Sequence, residues 1–131
     1  MKNKKMLQKK ILLLPLLLLF NSCYEQECDC KLYRTGKFKF EQEINSEKKV
    51  TVFERSENLQ IEQYEGKTDS ASVRWVNDCE FVLKKLHPKN MQEQKAIAMR
   101  ILSTTKDSYN FEYSFVGSDK KEKGTAIKLK N

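Results

Sequence analysis

The chain of 131 residues sets 25 lysines and arginines against 18 aspartates and glutamates, a formal charge of +7. Five of those lysines fall in the first ten residues, MKNKKMLQKK, where no acid stands, so the remainder carries only +2. That balance excludes a nucleic-acid-binding domain, which needs basic residues clustered on its folded surface, and the length suits one domain rather than two. Even the most basic later run, Lys120-Lys121-Glu122-Lys123, contains an acid and reads as a solvated turn.

Behind the basic head, Ile11 to Phe20 form an apolar run, ILLLPLLLLF, followed by Asn21, Ser22 and Cys23. A basic head, a short apolar segment and a small residue before a cut make a secretory signal peptide. The run is too short to span a bilayer core, which takes about 20 apolar residues. The stretch Leu19-Phe20-Asn21-Ser22-Cys23 resembles the lipobox of bacterial lipoproteins, in the relaxed form of Bacteroidota-type members. Ser22 fits the small position, whereas Phe20 and Asn21 depart from the strict pattern. The resemblance implies that Cys23 becomes the first mature residue and carries acyl chains on its sulfur and amine. Several chains anchor firmly where one holds weakly. The expected layout is a signal peptide over 1–22, a lipidated tether over 23–29 and a domain over 30–131.

From there the dominant period is two. Phe38 and Phe40 follow Gly36; Val50 and Val52 alternate, with Phe53 confusing the face; then come Leu59 with Ile61 and Val73 with Trp75. Cys79, Phe81 and Leu83 share a face, as do Tyr109, Phe111, Tyr113 and Phe115, and finally Ile127 and Leu129. Polar turn residues separate the runs, including Asn45-Ser46-Glu47, Glu65-Gly66-Lys67 and Gly117-Ser118-Asp119. Asn90 with Glu93 could open a helix through a capping box. The alternation of Ile97, Met99 and Ile101 instead favours a strand over Ala96–Ser103. The pattern predicts an all-β fold, an antiparallel up-and-down meander of about eight strands, because short links force neighbours to pair antiparallel. A small lipocalin-like barrel and a strongly curved open sheet satisfy it equally.

Cys28, Cys30 and Cys79 remain. Outside the cytoplasm two of them should pair. Residues two apart on a strand share a face, so the choice between Cys28 and Cys30 stays open on geometry. Zinc on Cys28, Cys30, Cys79 and His87 is the weaker alternative, since Cys-x-Cys is not the usual knuckle spacing.

Cys30-Lys31-Leu32-Tyr33-Arg34-Thr35-Gly36-Lys37-Phe38, then Gln60-Ile61-Glu62, Trp75, Cys79-Glu80-Phe81-Val82-Leu83, Tyr109 and Gly124 follow one another in a telling order. In that order they resemble a family of small Bacteroidota lipoproteins with a single β-meander domain. The resemblance implies a Cys30–Cys79 bridge, with Cys28 as an extra thiol. Members sometimes carry a topoisomerase IV label, which conflicts with an exported, lipidated domain of this size. The family implies no activity.

Signatures of enzymes are missing: no Gly-x-Ser-x-Gly elbow, no His-Glu-x-x-His and no phosphate loop. His87, before Pro88, reads as a solvated loop residue. No catalytic residue, metal or cofactor is expected. The candidate ligand or partner contacts are Arg34, Trp75, Tyr109, Phe111 and Tyr113. The aromatic residues would either fill a small barrel or line an apolar pocket. The expected protein is a membrane-anchored, exported, non-enzymatic binding or accessory module of the cell envelope, at the outer membrane. Its partners would be the bilayer, through acylated Cys23, and an envelope protein. The alternative is a lipocalin-like carrier of a small apolar ligand.

Overall fold

Alternating residues between polar turns become eight strands: β1 (Gly36–Ile44), β2 (Glu47–Arg55), β3 (Leu59–Tyr64), β4 (Lys67–Trp75), β5 (Glu80–Lys85), β6 (Ile97–Thr104), β7 (Ser108–Phe115) and β8 (Glu122–Lys128). The computed structural model describes residues 28–130. The segment expected to be a signal peptide, the expected acylation site Cys23 and the expected tether up to residue 27 lie outside the described residues. Each strand pairs antiparallel with the next, and β8 returns to β1, so the meander closes into a barrel. Closure leaves no sheet edge open, which removes the aggregation hazard of unpaired strands.

Turn chemistry sets the register. Asn45 and Ser46 both have positive φ (53° and 65°), as do Glu65 and Gly66 (48° and 74°). Such two-residue connections match the right-handed twist of the strands that they join. Glu93 completes a different turn: its N–H donates to Asn90 Oδ1 at 2.8 Å and its carboxylate accepts from Lys89 N–H at 2.7 Å. The capping pair thus closes a single turn rather than starting a helix, and the next strand begins at Ile97, one residue beyond the expected Ala96.

The two ends of the barrel differ. At one end a 3-10 turn, Cys30–Tyr33, lies across the opening. Tyr33 is 1% exposed, its ring sits 5.2 Å from that of Tyr109, and its hydroxyl donates to the Thr105 carbonyl at 2.6 Å. Lys128 Nζ donates to the Leu32 carbonyl at 2.8 Å, and Cys30 is bridged to Cys79 in the loop before β5. This end is closed. The hairpin tips at Asn45-Ser46 and Glu65-Gly66 and the long connection 86–96 surround the other end.

Apolar alternation does not always mark the inward face. In β3 it is Gln60 that is buried, while Ile61 is 40% exposed. In β2, Phe53 and Arg55 point inward and Val50 is exposed; in β8, Ala126 is inward and Ile127 exposed. The core consists mainly of aromatic rings, with Phe38, Phe53, Phe81, Tyr109 and Phe111 all buried. Gly124 admits them: a Cβ there would lie 2.5 Å from Phe40 and 2.9 Å from Phe111.

Candidate functional site

Strand pairing carries five inward chains to one level of the barrel. Arg55, at the end of β2, sits opposite Gln60 of β3, and Gln60 opposite Ala71 of β4; Tyr109 of β7 faces Ala126 of β8. Arg55 is 2% exposed. Five rings surround its Cζ, with centroid distances of 4.5 Å for Phe81, 5.0 Å for Phe38, 5.5 Å for Phe53 and 5.8 Å for both Trp75 and Tyr109. The guanidinium Nη2 donates to the Tyr109 hydroxyl at 2.7 Å. Its Nε has no partner.

Burial of an arginine usually comes with a carboxylate, because an isolated charge in a low-dielectric interior is heavily penalised. Here no carboxylate among the described residues pairs with it; Glu62, one inward position nearer the open end, acts only through space. Burial pulls the pKa of Arg55 down, opposed by Tyr109 and Glu62, and burial pushes that of Tyr109 up against the pull of Arg55. The aromatic faces stabilise the cation by roughly 0.5–2 kcal/mol per good contact. They offer nothing to the N–H groups at its edge.

Above this layer the barrel is hollow. A cavity of about 220 Å³ runs from Arg55 and Gln60 past Phe40, Phe53, Glu62, Met99, Tyr109, Phe111 and Tyr113. A second hollow of about 370 Å³ lies beneath the 86–96 connection and shares Glu62, Leu83 and Ile97 as walls. At its rim Lys85 bridges Asp69 at 2.9 Å and Glu93 at 3.3 Å. The hydrogen bond from Lys85 holds the Asp69 carboxyl below its usual range, and the Lys89 N–H, then Lys85, does the same for Glu93. For Lys85 burial works downward, but its two carboxylate partners raise the pKa on balance.

Among the residues singled out by sequence, Tyr109, Phe111 and Tyr113 come together on the cavity wall. Arg34 and Trp75 do not line it. Arg34 lies at the closed end, with its guanidinium 4.9 Å from the Trp75 ring and Nε 3.2 Å from Glu57. The Trp75 ring lies tilted against Phe81, with centroids 4.5 Å apart, and its buried indole N–H has no partner. Cys30 and Cys79 form the disulfide, while the free Cys28 Sγ stands 3.0 Å from Cys30 Sγ and 3.7 Å from Cys79 Sγ. His87 is at the open end, among the residues of the rim with Lys85 and Lys89. The four-ligand zinc set is therefore split between opposite ends of the barrel.

Arg55, Gln60 and Glu62 were not anticipated. For Arg55 the signal was the face conflict in β2, where Phe53 opposes Val50 and Val52 and carries Arg55, two residues on, to its own side; Gln60 and Glu62 stood only within the Gln60-Ile61-Glu62 resemblance. Comparison of the chain with protein-family models, curated proteins and solved structures finds no match.

Proposed function

We propose that the protein is an exported, lipid-anchored binding protein of the cell envelope that carries one small, largely apolar ligand in its barrel without transforming it. One observation carries the reading: an open-ended cavity reaches down to the buried aromatic layer instead of being filled by side chains. A barrel of eight strands is just wide enough to fill with its own residues or to hold one small ligand. An accessory module that docks through its sheet face needs no hollow, so the geometry favours the carrier of the two roles expected from sequence.

The anchor and the envelope location rest on the leader and on the lipobox resemblance at Cys23, and the proposed kinship is with the small Bacteroidota lipoproteins. The described chain enters at the closed end, where Cys28 and Cys30 lie beside Cys79. On a chain acylated at Cys23 the mouth would thus face away from the bilayer. Native mass spectrometry of protein extracted gently from its own envelope tests both halves. The expected spectrum shows acyl mass on the peptide beginning at Cys23 and a small molecule lost on denaturation. A ligand-free protein, confirmed by refilling experiments that also fail, would sink the carrier role; a missing acyl mass would sink the anchor.

A further inference from the structure

Resting on the carrier reading, we infer the chemical class of the ligand: a compact, apolar-bodied carboxylate with a hydrogen-bond donor on the adjacent carbon, an α-hydroxy or α-amino acid. Two buried polar atoms without partners, on side chains paired across one ladder, lead to this. Arg55 and Gln60 are partners across the β2–β3 ladder, and both are buried. Rings cover the faces of the guanidinium, Tyr109 takes one Nη2 hydrogen, and the Nε–H is left without an acceptor. A buried cation with an unmet donor at its edge is complementary to a carboxylate, which accepts along that edge.

Gln60 supplies the second unpartnered atom. Its Nε2 donates to Glu62 Oε1 at 2.6 Å, which fixes the amide orientation, because turning the oxygen toward a carboxylate would set acceptor against acceptor. The amide Oε1 is thereby the buried atom without a donor. A carboxylate alone would answer Arg55 and leave Gln60 unanswered. A hydroxyl or ammonium one carbon away answers both, and the nearby Glu62 favours the ammonium. The walls above, among them Phe40, Met99 and Phe111, suit an apolar body. The roughly 220 Å³ beside Arg55 and Gln60 suits a compact body, and the 370 Å³ hollow that shares Glu62, Leu83 and Ile97 leaves space for its far end.

Calorimetric titration of the full acylated chain in detergent, with Trp75 fluorescence as a second readout, tests this with four probes. Phenyllactate and phenylalanine carry acid and donor, hydrocinnamate carries the acid alone, and phenylpropanediol carries no acid. The expected order places the better of phenyllactate and phenylalanine first, hydrocinnamate next and the diol last, with the diol about 10- to 100-fold weaker than the best acid. Arg55→Met should bring the acids down to the level of the diol and leave the diol unchanged. Gln60→Leu should abolish the preference over hydrocinnamate while the acids still bind. Equal binding of diol and acids, or acids unaffected by Arg55→Met, overturns the inference and leaves the carrier standing. Failure of all four probes, together with an empty native spectrum, overturns both.

Discussion

Tyr109 holds the hydroxyl that accepts from Arg55, and both side chains are buried. Removing that oxygen leaves a charged donor uncompensated. Tyr109→Phe is expected to destabilise by about 1–3 kcal/mol, read from urea unfolding. In an Arg55→Met background the same change should cost much less, since the group that needed the oxygen is gone. Arg55→Met itself should leave stability unchanged or raise it by about 1–4 kcal/mol, as apolar replacements of buried charges often do. A fold that tolerates or gains from this replacement would point to function rather than packing as the reason for the arginine. At Gly124 the constraint is steric. A Cβ 2.5 Å from Phe40 must push that ring toward the cavity, so Gly124→Ala should cost about 1–3 kcal/mol and weaken ligand binding. Thermal melts and the titration above check both effects.

At the level of elements, the three sulfurs at the closed end make separable predictions. Cys30→Ala leaves Cys28 only 3.7 Å from Cys79, so a Cys28–Cys79 bridge should take over and keep most of the stability. Cys79→Ala leaves only Cys28 and Cys30, two residues apart, and should forfeit the whole contribution of a loop of about 50 residues, roughly 4 kcal/mol. Non-reducing peptide mapping beside urea unfolding distinguishes the two. At the open end, Asp69 and Glu93 have depressed pKa values, so their contribution is present above the ordinary carboxylate value and lost as pH falls through the lower folded values. The protection factors of amides 86–96, exchange referred to the intrinsic rate at each pH, should therefore be smaller at about pH 3 than at about pH 6, because protonation starts below about pH 4. Unchanged protection factors would mean that the connection is held by its packing alone.

Strands were legible in the sequence because alternation and turn chemistry agree, as at Glu65-Gly66 and along Tyr109 to Phe115. Closure was not, since an open curved sheet produces the same alternation. The cavity floor was hidden for a sharper reason. Periodicity assigns apolar residues to the interior, and β3 reverses this, turning Ile61 outward and Gln60 inward. Tyr109 was found because it is aromatic; Arg55 and Gln60 were missed because their residue types normally belong on a surface.

For the whole molecule, the seam between β1 and β8 decides whether the sheet is a barrel at all. Its ladder pairs Phe38 with Lys128, Lys39 with Ile127 and Phe40 with Ala126, and the Leu129 N–H adds one bond to the Lys37 carbonyl at 2.8 Å. A chain ending at Gly117 would lack β8 and expose the outer edges of both β1 and β7. Such a chain is expected to self-associate where the full chain stays monomeric, as sedimentation velocity would show. A monomeric truncated chain would mean that those edges are protected in some other way.

That seam also imposes a timetable. Seven of the eight pairings join neighbours in sequence and can zip as each hairpin emerges, while the eighth joins the first strand to the last. In a chain delivered N-terminus first, β1 pairs with β2 early and then waits, its other edge bare, until the final strand arrives. The Cys30–Cys79 bridge can form by the time β5 is out, fastening the closed end before the wall is complete. The vulnerable interval is thus the passage of about 50 residues between Cys79 and the end of β8, when an unfinished sheet stands open to any passing strand.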